Sequence, residues 1–217
     1  MGIGGESLVF RYRVDNFSRA LKIIPYEDHV IGAQNWQHLQ EVSQDDELRS
    51  NDLEHENIIN FKRILFDHVD FGRHSFLAIV FDMEIYDSTL WEYFKRYKKT
   101  LRIVPMTERF KMYQKLWNGL KHLQDNNVFH LDFKLSNILV KTDSNGRWNE
   151  VDLVITDFGI GGKDLSVLGN CGTNGWASPE QLIGHPHKNS DNYGFGKLLV
   201  FIFCEWSTAW DVLFNPV

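Results

Sequence analysis

Positive charge is in short supply in this chain. Twenty-three lysines and arginines face 29 aspartates and glutamates, and the net charge is -6. No general field is left to hold nucleic acid or an anionic membrane, so any phosphate binding must be local. Cysteine is scarce too: Cys171 and Cys204 form no CxxC pair and no disulfide framework, which points to a reducing compartment. The N-terminal MGIGGESLVF lacks the basic and apolar regions of a secretory signal, and Glu6 stands where a myristoylation motif wants Ser or Thr. The longest apolar run, Leu198 to Cys204, is too short to span a bilayer and suits a buried helix. Internal repeats and low-complexity segments are absent. The expectation is a cytoplasmic protein with no nucleic-acid or membrane partner.

What is present is core-forming material. The 217 residues are 43% hydrophobic and 14% aromatic, which suits one large domain or two small lobes. SLVFRYRV at 7 to 14 alternates as a half-buried strand does, Asp15 to Ser18 supply turn chemistry, and ALKII at 20 to 24 reads as the returning strand. Residues 38 to 53 permit a helix. Residues 58 to 70 and 75 to 83 read as two further strands around a turn at Phe71, Gly72, Arg73 and His74. Beyond Asp87 the pattern becomes helical. Thr89 and Glu92 predict a capping box, and Phe110, Tyr113, Leu116, Trp117, Leu120 and Leu123 form a stripe at spacings of three and four. Two short strands, NILV and LVIT, flank a loop with Asn145-Gly146, and a final helix runs over about 191 to 205. This is an α+β chain with a boundary near 84 to 87.

The chemistry concentrates in VFHLDFKLSNILV, residues 128 to 140. Asp132, Lys134 and Asn137 lie in a turn between a helix and a strand, where side chains converge over a rigid base. Asp157 heads an Asp-Phe-Gly tripeptide at the exit of the next strand, so the intervening hairpin can return it to the same cleft. Two carboxylates, an amide and a lysine make a metal and phosphate site. So few hard oxygen ligands suit Mg2+, which keeps waters and shares phosphate oxygens. Each residue alone has an ordinary structural role, since Asp132 can cap a turn and Asn137 can satisfy backbone. HxDxKxxN, then DFG, then GTxxWxSPE at 172 to 180, in that order, is a far less ordinary coincidence.

These segments resemble the eukaryotic protein kinases of the serine/threonine type. The resemblance implies a bilobal fold, with a small antiparallel sheet and one helix in residues 1–86 and a mainly helical lobe in 87–217. It further implies ATP and Mg2+ as cofactors and a protein Ser or Thr hydroxyl as acceptor. Gly2, Gly4, Ser7 and Val9 match the glycine-rich loop, with Ser7 in place of the third glycine. A dinucleotide fingerprint would need a strand before this segment and a helix after it, whereas only Met1 precedes and a strand follows. Ala20 and Lys22 match the adenine-pocket alanine and the phosphate-holding lysine. The helix acid that orients this lysine falls on Asp46 or Glu47, and Glu47 has the longer reach. Met83, Glu84, Tyr86 and Asp87 match a gatekeeper and hinge; with GTNGW they resemble the stress-sensing kinases of the inositol-requiring type.

In the implied mechanism Asp132 takes the hydroxyl proton, Lys134 offsets charge on the phosphoryl group, and Asn137 and Asp157 hold Mg2+. His130 is a backbone-anchoring support. Leu131 replaces the arginine by which many kinases read a phosphorylated loop, so phosphate on Ser166 or Thr173 is not expected to activate through that contact. His185 and His187 form HxH without a third ligand and read as a solvated turn, not zinc. Cys171 and Ser166 read as ordinary loop residues. The strand leading into the glycine loop and several later helices are missing from the pattern, leaving Glu180 without its usual arginine. The chain is therefore expected to be truncated at both ends. A non-catalytic kinase-like module that binds nucleotide or partner kinases is the alternative to an active enzyme.

Overall fold

The computed structural model describes residues 2–4, 7–14, 17–25, 54–72, 74–100, 104–141, 152–157 and 170–204. The chain divides into two compact units, residues 1–54 with 59–85, and residues 55–58 with 86–217. The helix expected over 38 to 53, with Asp46 and Glu47, lies outside the described residues, as do Phe158, Gly159 and Ser166.

The first unit is a five-stranded sheet built from β1 (Gly2–Gly4), β2 (Ser7–Val14), β3 (Phe17–Pro25), β4 (Phe61–Phe71) and β5 (His74–Glu84). Its order is β1-β2-β3-β5-β4, and every pairing is antiparallel. Period-two patterning sorts the side chains onto two faces. Ile23, Ala78 and Val80 form a buried core on one face, with Leu8, Phe10, Leu21 and Val69 packed against it. At one end of that face Asp82 accepts hydrogen bonds from Tyr12 Oη at 2.9 Å and Arg19 Nε at 2.7 Å.

Three boundaries differ from the sequence reading, each for a physical reason. Gly2–Gly4 forms a strand paired with Ser7–Val9, so the glycine segment is itself an extended arm where the sequence shows no strand. Glycines carry no side-chain alternation, and the backbone ladder that fixes them leaves no pattern to read. The first hairpin closes with Val14 opposite Phe17, so Phe17 and Ser18 belong to the strand and not to the turn. Ile58 does not begin β4. It pairs with Ile155 in the second unit instead, because a short apolar run has no period to say which core it joins.

The second unit carries β6 (Ser88–Thr89), α1 (Leu90–Thr100), α2 (Met106–Asp125), a 3-10 turn at Leu135–Asn137, β7 (Ile138–Lys141), β8 (Asp152–Ile155), α3 (Pro179–Leu182) and α4 (Ser190–Phe203). The strands form a small antiparallel sheet, β6-β7-β8. The Thr89–Glu92 capping box is present: Glu92 N donates to Thr89 Oγ1 at 3.2 Å and Thr89 N to Glu92 Oε2 at 3.0 Å. Met112, Leu116, Leu120 and Leu123 bury one face of α2, and Ile138, Val140, Leu153 and Ile155 close the core beneath the 132–137 turn. Gly119 lets α2 approach this core closely, since a Cβ there would lie 2.6 Å from Ile155 Cδ1. No helix among the described residues is long and apolar enough to cross a membrane.

Candidate active site

The polypeptide between α2 and β7 is tied down before any functional side chain is placed. Asp191, only 2% exposed near the start of α4, accepts from His130 N at 2.8 Å and Leu131 N at 2.6 Å. Gln181 in α3 donates to Leu131 O at 2.7 Å, so both peptide groups of Leu131 are bound. These bonds hold Leu131 at a φ of 62°, the left-handed region that a branched side chain rarely visits. The α3 end is itself fixed by a Ser178–Gln181 capping box with Pro179 in its first turn. Gly172 has to be glycine here: its φ is +88° and a Cβ would meet Leu131 O at 2.9 Å.

His130 is fully buried, and Nε2 lies 2.8 Å from Thr156 O while Asp132 N lies 3.2 Å from Nδ1. A backbone N–H can only donate, so Nδ1 accepts and Nε2 carries the proton given to Thr156. One imidazole thereby joins the Asp132 turn to the end of β8. Thr156 N donates to Asn137 O at 3.0 Å on the same path.

On this base four side chains converge. Lys134 Nζ donates to Asp132 Oδ2 at 2.6 Å and to Thr173 Oγ1 at 2.7 Å, and that hydroxyl donates to Asp132 Oδ1 at 2.6 Å. Asn137 Nδ2 donates to Asp132 O at 2.9 Å and Oδ2 at 3.0 Å. Burial pushes the Asp132 carboxyl up, but hydrogen bonds from Lys134 and Thr173, the Lys134 charge and the Asn137 amide together hold it below its ordinary value. Asp132 is thus an ionised acceptor at neutral pH, with a hydroxyl and an ammonium already on it. Asp191 goes the other way. Burial pushes its carboxyl up, and the nearby His130 and the two backbone N–H groups offset only part of this.

The oxygens available near Asp132 fit Mg2+. Asn137 spends Nδ2 on Asp132, and its Oδ1 takes no part in those bonds. Asp157, half-buried at φ 71°, follows Thr156, which is bonded to both Asn137 and His130. An amide oxygen and a carboxylate are the hard donors that such an ion prefers, the remaining positions going to water and phosphate. Among the described residues no group of three or more His, Cys, Asp or Glu is placed to hold a metal, His185 and His187 included.

In the first unit, cross-strand register aligns the nucleotide-type residues. Val9 lies opposite Lys22, which lies opposite Phe81; Ala20 lies opposite Met83; and Gly2 lies opposite Val9 and Gly4 opposite Ser7. Directly paired residues share a face, so Val9, Ala20, Lys22 and Met83 line one side of the sheet. Glu84 closes β5, whereas Tyr86 and Asp87 belong to the second unit, where Asp87 N donates to Val140 O at 2.8 Å. Glu180 is half-exposed and makes no ion pair among the described residues, so it escapes the penalty of a buried charge. Sequence reasoning missed the supporting roles of Asp191 and Gln181. An acid one position into an otherwise apolar helix was the available signal for Asp191. Gln181 carried none beyond its place in an S-x-x-Q cap.

The family model described as the protein kinase domain matches residues 1–211. A meiosis-specific serine/threonine-protein kinase of Schizosaccharomyces pombe is 31% identical over 154 residues, covering 67% of this chain and 31% of that protein. Dual specificity testis-specific protein kinase 2 of Homo sapiens is 32% identical over 117 residues, or 51% of this chain and 20% of its own length. TGF-beta receptor type-2 of Gallus gallus is 27% identical over 180 residues, or 75% and 28%. The chain thus spans less than a third of the length of these relatives. With HxDxKxxN, the Asp157 turn and the SPE cap each set in the second unit as described, the chain belongs to the protein kinase domain family.

Proposed function

We propose that this chain is a serine/threonine protein kinase that transfers the terminal phosphoryl group of ATP to a Ser or Thr hydroxyl of a protein. The observation that carries the reading is the Thr173 hydroxyl, which donates to Asp132 Oδ1 at 2.6 Å while Lys134 Nζ donates to it at 2.7 Å. An aliphatic hydroxyl between this carboxylate and this ammonium is what an acceptor side chain requires. Asp132 accepts the acceptor's proton as its oxygen bonds to phosphorus and the bond to the departing ADP oxygen breaks. Lys134 offsets charge on the transferring group. Asn137 and Asp157 would hold Mg2+, which supplies charge neutralisation between the phosphates when bound.

Family resemblance supports the nucleotide roles. Gly2, Gly4, Ser7 and Val9 would bring backbone amides close to phosphate, and Lys22 would hold the α and β phosphates with Glu47 as its orienting acid. Ala20, Met83, Glu84, Tyr86 and Asp87 would receive the adenosine. The partners are then ATP and a protein substrate, and the expected site of action is the cytoplasm.

Radiolabelled ATP, Mg2+ and a generic acceptor protein test the reading beside Asp132→Asn. Loss of about 10²- to 10⁴-fold in transfer is expected, the usual contribution of a positioned base. Equal transfer by both proteins would sink the catalytic reading. Stabilisation by ATP and Mg2+ without transfer by either would support the binding-module alternative.

A further inference from the structure

One cation interrupts an otherwise apolar stretch of α4. Between Asp191 and the end of the helix at Phe203, Lys197 is the only charged residue, set between Gly196 and the run Leu198 to Phe203. An ammonium half-buried among such neighbours costs desolvation unless the fold gives it an acceptor. Its Nζ donates to a main-chain carbonyl, Gly175 O, and lies 4.8 Å from the centroid of the Tyr193 ring, one helical turn earlier. Tyr193, Lys197 and Phe201 recur every four residues, so one stripe of α4 carries all three. Phe201 meets the segment that Lys197 meets, stacking on Trp176 with ring centroids 5.6 Å apart and planes inclined by 19°.

Gly175, at a φ of +85°, is the third residue of the turn Thr173–Trp176. Trp176 N and Ala177 N close that turn on Thr173 O at 2.9 Å and 2.8 Å. This is the piece of chain that delivers the Thr173 hydroxyl to Asp132 Oδ1 and receives Lys134 Nζ on the same oxygen. Upstream of the turn, Cys171 N donates to Gln181 O at 3.4 Å. Within it, Asn174 is exposed and Gly175 has the widest backbone freedom of any residue type, so the carbonyl of Gly175 is where a hold is most effective. A charged donor on that carbonyl is stronger than a neutral one. The same helix also supplies Asp191, which binds Leu131 N, so α4 grips the chain on both sides of the Asp132–Thr173 contact.

Resting on the kinase reading above, we propose that Lys197 is a positioning residue for phosphoryl transfer: by holding the Gly175 carbonyl it keeps the Thr173 hydroxyl on Asp132 and Lys134, with no phosphate needed on the segment. Leu131 supplies no cation here. Lys197 supplies one from α4, and it binds a carbonyl that is always present, so the hold is built into the fold. Lys197→Met keeps a stem of similar length and removes the donor. An apolar side chain also suits the apolar stretch of α4, so this change separates positioning from stability.

The test uses the full chain, ATP, Mg2+ and a generic acceptor protein. Lys197→Met should lower kcat about tenfold, the scale of one lost charge-assisted hydrogen bond, with KM for ATP unchanged and the urea midpoint held or raised. Lys197→Arg, which can still donate to Gly175 O, should recover most of the rate. Added to Thr173→Ala, Lys197→Met should cost less than about twofold more, because both changes act through one hydroxyl. Hydrogen exchange of the 170–178 segment gives a readout independent of transfer: it should quicken in Lys197→Met and stay slow in Lys197→Arg. Transfer by the unaltered chain that Lys197→Met leaves intact would overturn the role of Lys197 and spare the kinase reading. So would a loss that tracks a lowered midpoint or adds in full to Thr173→Ala. Quickened exchange with no transfer by any of the proteins would leave the hold on the turn standing and remove the kinase reading. Unchanged exchange and no transfer would overturn both.

Discussion

Leu131 has a non-glycine backbone at φ 62°, which costs about 1–2 kcal/mol and persists only where the surroundings insist on it. Here the insistence comes from Asp191 on its N–H and Gln181 on its carbonyl. At 2% exposure the side chain packs into the core. It offers no cation to a phosphorylated loop, which is the physical content of leucine at this position. Thr173 is equally committed, since its hydroxyl is bonded to Asp132 and Lys134. Replacing Asp191 by alanine strands two buried N–H groups at about 1–3 kcal/mol each, so a loss of about 2–6 kcal/mol in urea-derived stability is expected. Asp191→Asn keeps one oxygen acceptor and should lose less. The two variants also separate by pH. Because burial raises the folded-state value of Asp191 above its ordinary 3.8, the folded protein binds the extra proton between those two values, and stability drawn from it falls as pH rises through that window. Asp191→Asn lacks this dependence, so the wild-type advantage over it should shrink from pH 4 to pH 7; an advantage that grew with pH would refute the assignment. Asp132 has the opposite sign, its contribution being lost only as pH falls through a value below the ordinary one.

Elements with a strong local signature were legible before any coordinates. Thr89 and Glu92 mark the start of α1, and the three-four spacing marks α2, because capping and helical periodicity are written in neighbouring residues; the buried face is nonetheless rotated from the expected stripe, with Phe110 and Trp117 exposed and Met112 buried. Sheet edges were less legible. The Gly2–Gly4 strand has no side-chain pattern, and Ile58 leaves the strand expected over 58 to 70 for a partner, Ile155, nearly a hundred residues away. Glycines inside helices show the same divide between local preference and tertiary demand. Alanine is the better helix former by about 1 kcal/mol, so propensity alone favours Gly→Ala in both α2 and α4. At Gly196 an added Cβ meets nothing within 4 Å, and Gly196→Ala should stabilise by about 0.5–1 kcal/mol. At Gly119 it would meet Ile155 Cδ1 at 2.6 Å and Asn57 O at 3.1 Å, so overpacking should win and Gly119→Ala should destabilise by about 1–3 kcal/mol. Denaturation midpoints of opposite sign for the two variants are the expected outcome, and matching signs would show that the α2–β8 contact yields more readily than its geometry implies.

At the scale of the whole molecule, the candidate site was legible as a residue list but not as a bonded network. Asp132, Lys134 and Asn137 stood within six positions of one another, whereas Thr173, Asp191 and Gln181 reach them only through folding. The same long-range logic holds residues 55–58 in the second unit. Asn57 Nδ2 donates to Leu153 O at 3.1 Å, and the His55 ring stacks on His122 of α2 with centroids 4.8 Å apart. His55 Nδ1 accepts from Asn57 N at 3.0 Å, which requires the unprotonated nitrogen. Burial pushes the His55 imidazole down, proximity to His122 adds to this, and Glu56 opposes it. The unfolded chain therefore takes up a proton on His55 before the folded one does. Stability rises with pH across that interval and is lost as pH falls from the ordinary value of 6.5 through the lowered one. The expected observation is a fall in urea midpoint between pH 7.5 and pH 5.5. His122→Phe keeps a stacked ring and removes the like charge, so its fall should be shallower, and His55→Phe, which no longer titrates, should be shallower still. Parallel pH profiles for all three proteins would show that the stacked pair plays no part in the acid sensitivity of this chain.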